Sequence, residues 1–293
     1  MNSPPEIIKL YIEAGIKKVK LPLPKMFVLG IYAGMYIALG GLCSSTCVYA
    51  INSGNANFFS GLIFPIGLTL CLCAGAELFT GNCLLVIPLF CKKITIVEML
   101  ISWGMVYLGN FFGSFLMAIL IVYGHVPNLF NNNLAQFYAS IATAKVSFSF
   151  GDIFIRSIIC NSCVCLAVWL SFGAKDLFSK IAGLWSPILL FVACAFEHCV
   201  ANMFIVPLGL LATYEYNIER NELDWGRFFY KNLIPVTLGN IIGGVLIVGF
   251  IYWFIYATED SSNFPPQMEK TAASQAVLIN NIGIEKEKKI EHL

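Results

Sequence analysis

Glu77-Leu-Phe-Thr-Gly-Asn82 and Glu197-His-Cys-Val-Ala-Asn202 are two versions of one six-residue stretch, each with a carboxylate first and an amide last. A second pair, Leu108-Gly-Asn-Phe-Phe-Gly113 and Leu238-Gly-Asn-Ile-Ile-Gly243, follows in the same order. Both pairs lie within long apolar segments. Polar groups repeated at the middle of equivalent apolar segments are typical of duplicated transporters, whose broken helices meet near the bilayer midplane. The repeat therefore predicts a transport protein.

The composition requires a membrane as the main solvent. Of the 293 residues, 58% are hydrophobic and only 12% are charged, and the mean hydropathy is +0.77. The net charge of +1 excludes nucleic acid as a partner, because a phosphate-binding face needs an excess of Lys and Arg. The eleven cysteines lie mostly within apolar runs and lack the Cys/His spacing of a zinc site, so we expect no metal and no cofactor. The first 25 residues also lack the pattern of a cleavable signal peptide.

Six segments are long and apolar enough to span a bilayer. They predict an all-α polytopic membrane domain over residues 26–257, made of two repeats at about 26–123 and 153–257. Because each repeat has three spans, the second repeat must cross in the opposite direction, and helices 2 and 5 should be broken at mid-membrane, where each carries a carboxylate. Pro187 and Pro207 flank the expected break in helix 5. The six segments are 26–51, 61–90, 95–123, 153–173, 182–212 and 232–257.

The distribution of charge predicts the orientation. Most of the Lys and Arg residues lie in the N-terminal arm, the 91–94 turn, the 174–181 loop and the C-terminal tail, so both termini should be cytoplasmic. Residues 1–25 are predicted to contain an amphipathic helix, over 5–20, that lies on the cytoplasmic surface. Residues 258–293 lose the hydrophobic pattern and are predicted to form a disordered cytoplasmic tail.

Four longer motifs surround these polar residues: Gly75-Ala-Glu-Leu-Phe-Thr-Gly-Asn82, Asn161-Ser-Cys-Val-Cys-Leu-Ala-Val-Trp169, Phe196-Glu-His-Cys-Val-Ala-Asn-Met203 and Asn232-Leu-Ile-Pro-Val-Thr-Leu-Gly-Asn240. They resemble the motifs of the formate/nitrite transporter family, in matching order over roughly residues 5–257. The resemblance implies an aquaporin-like six-helix protomer, assembled as a homopentamer in which each protomer has its own pore. It also implies transport of formate, nitrite, hydrosulfide or lactate, generally coupled to a proton.

His198 is the leading functional candidate, because ionisable residues within membrane spans are rare and usually functional. The resemblance implies that His198 stands at the pore centre near Thr80. A formate-like acid is almost entirely an anion near pH 7, and carrying its charge through an apolar constriction costs several kcal/mol. Protonation removes most of that cost. Either His198 donates the proton, or a buried positive potential raises the proton affinity of the substrate so that bulk water supplies it.

The resemblance also implies roles for residues around this centre. Lys145 matches a vestibule lysine and Glu197 the carboxylate that pairs with it, although Ser147 and Phe148 stand where relatives often carry histidines. Glu77 has an alternative, structural role as an acceptor for backbone N–H groups freed at the break. Asn161 and Asn240 match amides near the pore, and Asn110 is the repeat mate of Asn240. A cytoplasmic-side constriction is predicted from Phe64, Leu68 and Phe191, and one on the opposite side from Leu78, Phe79 and Val164.

The filter residues favour formate-sized substrates over lactate, because apolar rings exclude hydrated anions and admit small neutral acids. The expected partners are small monovalent anions and protons, in a plasma or inner membrane. Two other classes of membrane protein share features with this chain. An aquaporin or glycerol channel should carry paired Asn-Pro-Ala turns, which the chain lacks. A membrane-embedded redox or metal protein should carry a second histidine near His198, and neither His125 nor His292 has the required spacing.

Overall fold

The computed structural model describes residues 1–51, 55–219 and 222–257, and within these ranges every regular element is helical. Five stretches are long and apolar enough to cross a membrane. The second of them consists of two helices that abut at Phe64, and the last combines short α-helices with π-helical turns at 228–233 and 243–250. The five stretches are α2 (Leu23–Ile51), α3 with α4 (Ala56–Ile63 and Pro65–Ala74), α7 (Ile96–Tyr123), α9 (Phe150–Gly173) and α12 to α14 (Trp225–Arg227, Ile234–Ile242 and Ile251–Tyr256).

The remaining elements are shorter. The predicted fifth segment, 182–212, is present as two helices of 17 residues each instead of one span. A helical segment over Phe79–Phe90 combines two short α-helices with an intervening 3₁₀ turn at Cys83–Leu85. The shorter helices are α1 (Pro4–Val19), α5 (Phe79–Asn82), α6 (Val86–Phe90), α8 (Asn133–Ser147), α10 (Leu177–Ala193) and α11 (Cys199–Glu215).

Both interruptions predicted from the repeated motifs are present. Helix α4 ends at Ala74 before α5 begins at Phe79, and α10 ends at Ala193 before α11 begins at Cys199. Pro187 and Pro207 lie inside α10 and α11, so they do not cause the second break.

The two helices that stop at these breaks end in the same way. Gly75 and Ala195 have left-handed backbones with φ of 85° and 54°. The N–H of the next residue then donates back to a carbonyl five residues earlier, from Ala76 to Cys71 at 2.8 Å and from Phe196 to Phe191 at 3.0 Å. A left-handed residue followed by such a bond ends a helix and turns the chain away from its axis.

Helix α1 packs its apolar face against the rest of the protein, and its place at a membrane surface stays a prediction. Its apolar face is buried, with Ile8 and Ile12 fully so. The Tyr11 hydroxyl donates to the Gly81 carbonyl at 3.3 Å, and the backbone N–H of Asn2 donates to the Gly173 carbonyl at 2.8 Å. The amphipathic pattern is the same for a lipid and a protein partner, so the sequence could not distinguish them.

Helix α8 was not predicted, and it carries Lys145 in its last turn. Its buried face includes Leu134, Tyr138 and Ala142, which pack against α11 and its neighbours. The predicted tail over 258–293 lies outside the described residues.

Close helix contacts at glycine repeat between the two halves. A Cβ on Gly113 of α7 would overlap the Ile31 carbonyl oxygen of α2, and a Cβ on Gly243 would overlap the Ile158 carbonyl oxygen of α9. The backbones meet where only hydrogen fits, which is how helices pack tightly in membranes.

We expect Gly113→Ala to destabilise the protein by about 2 kcal/mol, because the Ile31 backbone cannot yield to the new methyl group without moving α2. Gly104→Ala in the same helix is the control, since a Cβ there meets nothing within 4 Å. Thermal unfolding in detergent, followed by circular dichroism, measures both. Equal midpoints for the two variants would contradict the close-packing account.

Candidate functional site

The Asn110 side chain bridges the first break. Its Oδ1 accepts from the Phe79 backbone N–H at 2.9 Å, and its Nδ2 donates to the carbonyls of Glu77 at 2.9 Å and Gly30 at 2.8 Å. One amide therefore satisfies backbone groups within the break and at the start of α5, and ties them to α2. Satisfying such groups is obligatory where water is absent.

Asn240 bridges the second break with the same set of bonds. Its Oδ1 accepts from the Cys199 N–H at 2.9 Å, and its Nδ2 donates to the carbonyls of Glu197 at 3.0 Å and Ser157 at 2.7 Å. Asn161 links the two bridges, because its Nδ2 donates to the carbonyls of Thr80 at 3.2 Å and Asn240 at 2.7 Å. The three amides therefore hold the breaks in place, and their polar atoms are committed to protein partners.

His198 and Thr80 join the two breaks directly. His198 Nε2 lies 2.9 Å from Thr80 Oγ1, and both side chains are buried. His198 is the N-cap of α11, where its Nδ1 accepts from the Ala201 N–H at 3.1 Å. Because that bond occupies the Nδ1 lone pair, a neutral imidazole carries its hydrogen on Nε2 and donates it to Thr80. The Thr80 hydroxyl hydrogen then remains available to a third group.

Lys145 and Glu197 form an ion pair beside this contact. Lys145 Nζ lies 2.9 Å and 3.0 Å from the two Glu197 carboxylate oxygens. Glu197 also accepts from Asn202 Nδ2 at 2.7 Å, and the carbonyl of Lys145 accepts from Asn232 Nδ2 at 2.8 Å. The carboxylate is therefore held by an ammonium and an amide. Asn232 and Asn202 were missed as members of this group, although both lie in the quoted motifs.

Lys18 and Glu77 form the matching cluster at the first break. Lys18 Nζ lies 2.7 Å from Glu77 Oε2 and 3.1 Å from Asn82 Oδ1, and Asn82 Nδ2 donates to Glu77 at 2.8 Å. Glu77 accepts from side chains, so the prediction that it accepts freed backbone N–H groups was wrong. Lys18 was also missed. The repeat itself could have indicated it, because a carboxylate matched to Glu197 needs a cation of its own.

A cavity lies next to each cluster. The first, of about 300 Å³, is lined by residues that include Lys18, Glu77, Leu78 and Lys180. The second, of about 380 Å³, is lined by residues that include Lys145, Glu197, His198, Phe64 and Phe191. Each cavity thus contains one cluster, and His198 brings the second cavity to the contact with Thr80.

The predicted sides of the two constrictions do not agree with the predicted cytoplasmic position of α1. Phe64 and Phe191 line the cavity of Lys145, whereas Leu78 lines the cavity formed with Tyr11 and Lys18 of α1. The physical reason is the direction of α4, which starts beside Phe191 and ends at Ala74, next to the Lys18 cluster. The rings of Phe64 and Phe191 meet edge to face at 5.8 Å, and Phe191 stacks on His198 at 6.0 Å.

The other predicted constriction residues are buried in the core. Leu68 belongs to the same apolar cluster as Phe64 and Phe191, and Val164 is also part of it. The Phe79 ring packs against Trp103 and Tyr107, with centroids 5.9 Å and 4.8 Å away. Within residues 1–51, 55–219 and 222–257, no group of three His, Cys, Asp or Glu side chains is arranged to hold a metal ion.

Comparison with known proteins gives a consistent match. The sequence profile of the formate/nitrite transporter family matches residues 5–254. The uncharacterized transporter YrhG of Bacillus subtilis is 41% identical over 89% of this chain and 96% of its own length. The formate channel BtFdhC of Bacillus thuringiensis is 37% identical, over 89% and 98%. The formate channel FocA of Escherichia coli K12 is 35% identical, over 88% and 95%.

Two solved structures share the fold. One, described as an FNT family ion channel, superposes with a TM-score of 0.78 at 28% identity, covering 86% of this chain and 98% of that one. The other, described as a pentameric formate channel with formate bound, has a TM-score of 0.70 at 31% identity, covering 80% and 98%.

We expect Lys145→Met to destabilise the protein by about 3 kcal/mol, because it leaves the Glu197 carboxylate buried without its cation. Adding Glu197→Gln should recover about 2 kcal/mol, since the buried charge is then gone as well. Chemical unfolding in detergent measures the three proteins. Lys231→Met, at an exposed lysine, is the control and should change little. A double variant no more stable than Lys145→Met alone would contradict the pairing.

Proposed function

Because the chain belongs to the formate/nitrite transporter family, we propose that it moves formate and related small monovalent anions across a membrane past the contact of His198 with Thr80. The protein is an integral membrane transporter and not an enzyme. Formate is the favoured substrate because two of the relatives are formate channels and one similar structure is described with formate bound.

A single observation supports this proposal most strongly. The 2.9 Å contact between His198 Nε2 and Thr80 Oγ1 joins the two broken segments, and each segment carries its own cavity with a lysine, a carboxylate and an amide. A carboxylate that leaves one cavity for the other would meet a hydroxyl donor where the two broken segments touch. Donors fixed in place inside an apolar surround bind an anion better than mobile water would in the same space.

The His198–Thr80 pair also suits proton coupling. In the neutral tautomer Nε2–H donates to Thr80 Oγ1, so the Thr80 hydroxyl can donate to a substrate oxygen in its turn. His198 then acts on the substrate through the Thr80 hydroxyl, which is the group that contacts the substrate oxygen. A proton delivered along this line, from His198 or from water, would make the substrate neutral before it passes the Phe64 and Phe191 rings. Transport of this kind should depend on pH and extend to nitrite, hydrosulfide and, less well, lactate.

The wider architecture of the proposal follows from the repeat and the relatives. The chain crosses the membrane six times, as two inverted halves whose breaks face each other at the midplane, with both termini cytoplasmic. Five of these copies form a pentamer, by analogy with the structure described as pentameric. The matched sets of bonds at Asn110 and Asn240 support the two-half arrangement. The chain also lacks the paired Asn-Pro-Ala turns expected of an aquaporin-type channel for neutral solutes.

We expect Thr80→Val to lower formate flux about tenfold or more, because it removes the hydroxyl donor and keeps the side-chain shape. Thr80→Ser should keep most of the flux. Thr237→Val is the matched control, since its hydroxyl bonds to Tyr107 away from both cavities. Uptake of labelled formate into proteoliposomes measures all four proteins. Normal flux in Thr80→Val would contradict the proposed path.

Proton coupling has a separate test with the same vesicles. An inward proton gradient should stimulate formate uptake by the native chain, and His198→Ala should lose that stimulation. Nitrite, hydrosulfide and lactate as competitors then rank the substrates. If the native chain carries none of the four, the proposed function is wrong and only the fold remains.

A further inference from the structure

The two helices that stop at the breaks each end beside a cavity. Helices α4 and α10 end at Ala74 and Ala193, and the left-handed residues that follow within two positions, Gly75 and Ala195, line the first and second cavity respectively. The C-terminal end of a helix carries a partial negative charge because its last carbonyls lack partners in the helix. Unmodified, these ends would repel an anion from both cavities.

A basic side chain covers each of these ends. Lys180 Nζ donates to the Leu72 carbonyl, in the last turn of α4, at 2.8 Å. Arg156 Nη1 donates to the Ala195 carbonyl, beyond the end of α10, at 3.1 Å. The Arg156 guanidinium also lies 4.7 Å from the centre of the Phe148 ring, which holds it in place. Neither cation comes from a repeated motif, so the two halves reach the same arrangement with different residues.

The N-terminal ends of the helices that follow the breaks, α5 and α11, are bonded by neutral side chains instead of cations. The N–H groups of Phe79 and Cys199, where the chain becomes helical again, are bonded by the neutral amides of Asn110 and Asn240. Neutral amides leave the positive partial charge of these ends in place. At each break, the backbone end that would repel an anion is therefore neutralised by a full positive charge, and the end that attracts one is not.

The net charge beside each cavity also favours an anion. Lys18 with Glu77, and Lys145 with Glu197, are ion pairs that sum to zero. Lys180 is an additional positive charge lining the first cavity, and Arg156 is one beside the second. These two residues therefore supply the net positive charge that the ion pairs do not.

We propose that Lys180 and Arg156 are positioning residues for charge selectivity, each of which masks the carbonyl end of a broken helix and thereby draws monovalent anions into its own cavity. This inference rests on the proposed function, since it assigns how each side of the transporter recruits its anion. The first cavity is lined by Leu78 and Gly81, which stand on either side of Thr80 in the chain, and the second is lined by His198. Each residue therefore acts on substrate that enters through its own cavity. A residue that only caps the helix would instead change transport equally from both faces of the membrane.

The test compares Lys180→Gln and Arg156→Leu with the charge-preserving Lys180→Arg and Arg156→Lys. Cells that lack other formate transport, and inverted vesicles from them, expose opposite faces of the full-length protein to labelled formate. We expect Lys180→Gln to raise the apparent KM for formate about fivefold or more when formate enters through the first cavity. Arg156→Leu should do the same when formate enters through the second cavity, so the two variants should differ between cells and inverted vesicles. The charge-preserving variants should stay within about twofold of the native chain, and added salt should shrink the difference between native and neutralised proteins.

Three outcomes would overturn the inference. One is a neutralised variant that changes KM equally from both faces, which would indicate a cap alone. Another is that both neutralised variants keep the native KM from both faces. This outcome would overturn the inference but not the proposed function. The third is an absence of formate transport by the native chain, which removes the proposed function together with the inference. If Lys180→Gln does not reach the membrane, Lys180→Met takes its place, with amounts normalised by quantitative blotting.

Discussion

The structure depends on the backbone groups left at two broken helices. A bilayer offers no water to these groups, so a protein that stops a helix inside one must supply the partners itself. Asn110 and Asn240 do this with matching bonds, each accepting one N–H and donating to two carbonyls. Without such bridges the breaks would be too costly to maintain, and no polar site could exist between the helices.

The Asn110 and Asn240 bridges position the polar side chains of the two breaks. They hold the start of α5 and the start of α11 so that Thr80 and His198 meet, and they leave the carboxylates of Glu77 and Glu197 beside separate cavities. Glycine contacts such as those of Gly113 and Gly243 bring the surrounding backbones close enough for an asparagine to reach across. Helix packing, backbone hydrogen bonding and the proposed transport site are thus parts of one arrangement.

The sequence predicted those parts that repeat. The Glu77 and Glu197 stretches located both breaks, and the family resemblance placed His198 near Thr80, where the structure has it. The repeat indicated that Glu77 needs a cation but could not identify Lys18, since an amphipathic helix shows which face is buried but not what it meets. The sides of the Phe64 and Leu78 constrictions could not be assigned either, because a motif identifies residues without giving the direction of the helix that carries them. Helix α8 was missed because its apolar pattern is short and interrupted.

The central claim is that the substrate passes between the two breaks, against His198 and Thr80. Solid-state NMR dipolar recoupling between ¹³C-formate and ¹⁵N-histidine tests it most directly, in membranes holding the protein at formate concentrations that saturate transport. With His125 and His292 replaced by Gln, only His198 carries the label. The account predicts recoupling between formate carbon and the His198 ring nitrogens, which unlabelled formate competes away and Thr80→Val weakens. Saturable formate transport without any such recoupling would contradict it.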